Sequence, residues 1–114
     1  MSKYTHHKDW KLRIVVDANL SPGQQLAQSL HAAIEFTQEH PELTKHWHLN
    51  SNSVVCLATK DIEGFLARVK AKQITHSIFR ESDLNYRLTA IALEATAISR
   101  KITANLPLSL KDPQ

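Results

Sequence analysis

The sequence predicts an α/β domain, a three-layer sandwich in which a four-stranded mixed β-sheet carries helices on both faces. Three observations predict it. Short apolar runs at residues 12–16, 53–58 and 88–93 read as strands, and the stretches between them carry apolar residues at helical spacings. The first two connections each hold a helix, which suits crossovers in an α/β sheet. Residues 81–87, between the third and fourth strands, are too few for a helical crossover, so that pair is antiparallel.

A chain of 114 residues is read as a single domain, 1–114, able to bury a core without disulfides or metals. It is 42% hydrophobic and 22% charged, the profile of a globular protein. Fourteen Lys and Arg against 11 Asp and Glu leave a net charge of +3, which permits an RNA partner without demanding one. The single cysteine, Cys56, excludes an internal disulfide and reads as a buried small hydrophobe. No apolar run approaches the roughly 20 residues that span a bilayer. A cytoplasmic protein with no membrane partner is expected.

Residues 1–9 are polar and expected to be loosely held, and Trp10 is expected to pack at the entrance of the first strand. That strand, residues 11–16, is apolar on both faces, which places it centrally. Ser21, Pro22 and Gln24 then spell a helix start. Ser21 caps, Pro22 tolerates the first turn, and Gln24 completes a capping box. The helix runs over residues 22–40 and stops at Pro41. Its apolar repeat of Leu26, Leu30, Ala33, Ile34 and Thr37 predicts the core face. Gln24, Gln28, His31 and Glu35 form a polar stripe that begins at the end favouring anions. Gly23 leaves room for a phosphate at the first turn.

A short second helix is expected over 41–47, packed by Leu43 and Trp47, and a second strand over 53–58. Thr59 or Asp61 caps the next helix, whose Ile62, Phe65, Leu66 and Val69 give the strongest helical signal in the chain. Its outer face, Lys60, Arg68, Lys70 and Lys72, reads as a solvated basic face or as a patch for phosphates. Residues 74–80 alternate as a third strand, with Thr75, Ser77 and Phe79 on one side. The fourth strand covers 88–93 and a last helix 95–102.

Taken together, the strand, the glycine loop and the helix segment Ala27-Gln28-Ser29-Leu30-His31-Ala32 resemble the type II peptidyl-tRNA hydrolases. The resemblance runs through nearly the whole chain, including the strand at 88–93. It implies hydrolysis of the ester between a peptide and tRNA, a tRNA partner, a homodimer and no cofactor or metal. It also implies a site made of Gln24, Gln28, His31, Thr89 and an acid that is either Glu81 or Asp83. Lys60, Arg68, Lys72, Arg80 and Arg87 would hold the RNA backbone. One position departs from the pattern: the family carries a lysine, thought to be catalytic, where this chain has Gln24. A glutamine donates hydrogen bonds but supplies no positive charge, which implies weakened activity. The alternative is a non-catalytic module of the same fold that binds tRNA or protein.

The residues alone allow plainer roles. Glu81, Asp83 and Arg87 read as loop charges in weak surface pairs, and His31 as a side chain bonded to a neighbouring strand. His46 and His48 lack the further ligands that a metal site requires.

Overall fold

The computed structural model describes residues 10–111. The expectation of a loose segment at 1–9 lies outside the described residues. Four strands form one mixed sheet in the order β2-β1-β4-β3: β1 (Leu12–Asp17), β2 (Val54–Thr59), β3 (His76–Glu81) and β4 (Arg87–Leu93). β1 pairs parallel with β2 and antiparallel with β4, and β3 pairs antiparallel with β4. Every residue of β1 is buried, as its two apolar faces predicted for a central strand.

Two helices follow β1: α1 (Pro22–Glu39) and α2 (Pro41–Asn50). The start of α1 has the predicted chemistry. Ser21 Oγ accepts from Gln24 N, the Gln24 side chain accepts from Ser21 N, and Pro22 fills the first turn. On the same side of the sheet lie Leu12, Ile14 and Val16 of β1, Ala90 and Ala92 of β4, and Phe36 of α1. The two alanines let the helix backbone approach the sheet closely. α3 (Ile62–Ala71) is capped by Asp61, whose Oδ1 accepts from Gly64 N. It covers the opposite face, where Phe65, Leu66 and Val69 meet Val15, Ile91 and Leu93. Ile102 of α4 (Ala97–Ile102) and Leu106 pack on that side too.

The predicted core face of α1 is wrong. Leu26, Leu30 and Ile34 are 49%, 56% and 58% exposed, while Gln25, Gln28, Ser29, Ala32 and Phe36 are buried. The reason is that polar side chains on the inner face find partners there. Gln25 donates to the carbonyls of Leu20 and Lys111 at 2.8 and 3.0 Å, and accepts from Leu110 N at 2.7 Å. A buried amide so satisfied loses most of its burial penalty. Those bonds also anchor the C-terminal segment, which pairs with the outer edge of β2 through Ala58 N to Pro107 O and Ser109 N to Cys56 O. That pairing covers an edge otherwise open to other strands.

Candidate functional site

The polar stripe of α1 was predicted to face the β3–β4 loop, and Gln28 does so. It is buried, and its amide bridges two strands' worth of chemistry. Its nitrogen donates to Glu81 Oε1 at 3.0 Å, and its oxygen accepts from Thr89 Oγ1 at 2.7 Å. Thr89 Oγ1 also lies 3.2 Å from the carbonyl of Phe79.

A bulge sets this geometry. Phe79 pairs with Ala90 and Arg80 with Leu88, so Thr89 is the extra residue of β4. Bulges re-aim a side chain at the point where the ladder is interrupted. Here the re-aimed hydroxyl is fully buried and meets α1. His31, one turn after Gln28, lies stacked on Phe79, with ring centroids 4.3 Å apart and planes 10° apart. The histidine is exposed, so the stack lies at the surface beside the buried Gln28 and Thr89.

Electrostatics favours an ionised Glu81. The hydrogen bond from Gln28 holds its carboxyl below the ordinary carboxylate range, against some desolvation. The backbone N–H groups of Asp83 and Ser82 and the charge of His31 act in the same direction. These N–H groups come from the 3₁₀ turn Ser82–Leu84, which ends at Asn85 in the left-handed region with φ of 56°. The structure therefore brings Glu81 to Gln28 and leaves the Asp83 side chain exposed on the turn.

Gln24 does not join this group. Its side-chain oxygen accepts from Ser21 N and Ser21 Oγ, both at 3.2 Å, so the amide closes the capping box. Nothing lies within 4 Å of a side-chain carbon placed at Gly23, so the space above the first turn is open.

The predicted basic residues do not form one surface with the Gln28 network. Arg68 and Lys72 belong to α3 and its end, across the sheet from α1. Arg68 stacks its guanidinium 5.3 Å from the Phe65 ring centroid. Arg80 alternates away from Glu81 toward α3, where its guanidinium lies 3.9 Å from Glu63. Arg87 pairs with Asp17, a carboxylate buried at the end of β1. Asn19 completes that pocket, donating to Asp17 Oδ1 through both its backbone N–H and its side chain at 2.9 Å. Asp17, Asn19, Lys60 and Arg87 line a polar hollow of about 220 Å³.

This hollow sits where β1 leads to a helix on one face and β2 to a helix on the other, the switch point at which open α/β sheets bind ligands. The sequence signal for it is an acid ending the apolar run Ile14-Val15-Val16. Phe79 under His31 had no such signal, because stacking depends on the register of a distant strand. Among the described residues no group of three or more His, Cys, Asp or Glu side chains is placed to hold a metal ion. No described helix is long and apolar enough to cross a membrane.

No family model and no curated protein sequence matches the chain. Its fold is similar to a solved structure of a protein of unknown function from Agrobacterium tumefaciens C58. That structure superposes with a TM-score of 0.65 at 16% identity, over 86% of this chain and 96% of the other. The likeness confirms the sheet and helix arrangement and extends no further.

Proposed function

We propose that this chain is a peptidyl-tRNA hydrolase-like protein with weak turnover, acting on the ester between a peptide and the terminal ribose of tRNA. One observation carries the reading: Gln28 gathers Glu81 and Thr89 under the exposed His31–Phe79 stack. Ester hydrolysis needs a positioned water and donors for the carbonyl oxygen. In this reading the Glu81 carboxylate, whose Oε1 accepts from Gln28, orients the attacking water through its remaining lone pairs. The water oxygen adds to the ester carbonyl, the bond to the ribose oxygen breaks, that oxygen leaves with one proton of the water, and the other proton is released from the peptide's new carboxyl. Thr89 acts through Gln28 as a positioning residue. A carboxyl held below its ordinary range orients water well and accepts its proton poorly, in keeping with slow chemistry. A cytoplasmic location, tRNA as partner and a homodimer go with this reading.

A specific observation favours the second reading, a non-catalytic module that binds tRNA or protein. The residue in place of the family lysine is committed to the helix cap, and among the described residues no lysine or arginine is bonded into the Gln28 network. Single-turnover hydrolysis of peptidyl-tRNA separates the two. Slow release of peptide that falls about 10²-fold in Glu81→Gln supports the hydrolase. Binding of tRNA with release no faster than in buffer supports the module.

A further inference from the structure

The hollow at the carboxyl end of β1 contains a buried acid that organises two exposed side chains. Asp17 is 1% exposed. Desolvating a carboxylate at the end of a central strand is costly, and an apolar residue there would often serve stability as well. What the acid does is fix its neighbours. The Arg87 guanidinium is tied to it through one nitrogen and is otherwise half exposed, with further N–H groups to donate. Asn19 places both hydrogens of its amide nitrogen, on Asp17 Oδ1 at 2.9 Å and on the carbonyl of Lys60 at 3.2 Å. Those two bonds set the orientation of the amide, and its oxygen accepts from no described residue. The hollow therefore presents a fixed donor fork and a fixed acceptor. Charges of both signs stand beside them. Lys60 makes no ion pair among the described residues. Asp61 uses Oδ1 to cap α3, accepting from Gly64 N at 3.0 Å, and its Oδ2 has no partner among the described residues. Arg87, Asn19, Lys60 and Asp61 all line the one hollow of about 220 Å³. That is below the roughly 300–1,000 Å³ of sites for drug-sized ligands, so it suits a smaller molecule.

We propose that this hollow binds a small α-amino acid as its zwitterion. The carboxylate lies against Arg87 and Lys60, and the ammonium against Asn19 Oδ1 and Asp61. A phosphate or another multiply charged anion would meet Asp61 and Glu63, which also lines the hollow, and a simple amine would meet Lys60 and Arg87. A molecule carrying both charges a few bonds apart satisfies both sets. The hollow shares no lining residue with the Gln28, Glu81 and Thr89 network, so this inference stands apart from the hydrolase reading.

The test follows the backbone amide shifts of Asn19, Lys60 and Arg87 by NMR while the full chain is titrated with L-alanine. Saturable shifts are expected. Propionate lacks the ammonium and L-alaninamide lacks the carboxylate. Each should bind about tenfold or more weakly than alanine, the size of one charge-assisted hydrogen bond. This comparison of ligands needs no variant. Lys60→Met and Asp61→Asn should each weaken alanine by a similar factor. Asparagine caps a helix as aspartate does, so the second change removes the charge and keeps the start of α3. The proposal is overturned if alanine gives no saturable shift up to about 100 mM, two decades above a millimolar affinity. It is also overturned if propionate, alaninamide or inorganic phosphate binds as well as alanine, or if either substitution leaves alanine binding unchanged.

Discussion

The Gln28 amide nitrogen lies 3.0 Å from Glu81 Oε1, joining residues 53 positions apart. This contact holds the acid's carboxyl below the ordinary carboxylate range and, with the Thr89 bond, ties α1 to β3 and β4. Gln28→Leu should therefore move two observables together. The Glu81 carboxyl, titrated by NMR, should rise toward the ordinary carboxylate range. Denaturant unfolding should show a loss of about 1–3 kcal/mol, because the buried Thr89 hydroxyl loses its best acceptor. The sign with pH follows from a carboxyl held low in the folded state. Its contribution to stability is present above the unfolded-state value and disappears as pH falls through the folded-state value. In Gln28→Leu this acid-side loss should shrink.

Gln24→Lys places a cation at the first turn of α1. Under the hydrolase reading, single-turnover release of peptide should rise about tenfold or more, since a charged donor bonds about twice as strongly as a neutral one. The substitution also removes the acceptor for Ser21 N, so stability should fall slightly, by about 0.5 kcal/mol. An unchanged rate in a folded variant would favour the binding module.

Leu30→Ala and Phe36→Ala separate the apparent core of α1 from the real one. Leu30 is 56% exposed and Phe36 only 1%. Urea unfolding should show a loss under about 1 kcal/mol for Leu30→Ala. Phe36→Ala should cost about 3–5 kcal/mol.

Arg87 and Asp17 should be coupled in a double-mutant cycle. Asp17 is buried, so Arg87→Met leaves its carboxylate with Asn19 alone. The loss should be about 1–3 kcal/mol, below that of a fully buried pair because the guanidinium is half exposed. In an Asp17→Asn background most of that loss should vanish.

Binding of tRNA, if it uses the carboxyl end of the sheet, should depend on Lys60 far more than on Lys72. α3 runs from Ile62 to Ala71, which carries Lys72 about 15 Å away from that end. Lys60→Ser should reduce the slope of log affinity against log salt by about one. Lys72→Ser should leave it unchanged.

The fold class was legible in the residues because its signals are local. Ser21 with Gln24, Pro22, Pro41 and Asp61 start the helices where caps and proline geometry require. The short β3–β4 connection made that pair antiparallel, and the two apolar faces of β1 placed it at the centre of the sheet. Gln28, Thr89 and a loop acid were named from a resemblance, and the structure brings Glu81, not Asp83, to Gln28. Cys56, expected in the core, is only half buried, lining an apolar groove with Leu26, Leu30 and Ile34; that burial pushes its thiol up.

Only tertiary structure decided which side of α1 faces inward. Periodicity assumes that apolar side chains go in and amides stay out. That assumption fails where the chain supplies partners from a distance: Lys111 and Leu110 for Gln25, Glu81 and Thr89 for Gln28. An amide that finds hydrogen-bond partners inside costs far less to bury, and no local pattern records where those partners come from. The bulge at Thr89 and the separation of Arg68 and Lys72 from Gln28 are of the same kind. Each depends on strand register and on the face a crossover takes, which are set by packing across the whole sheet.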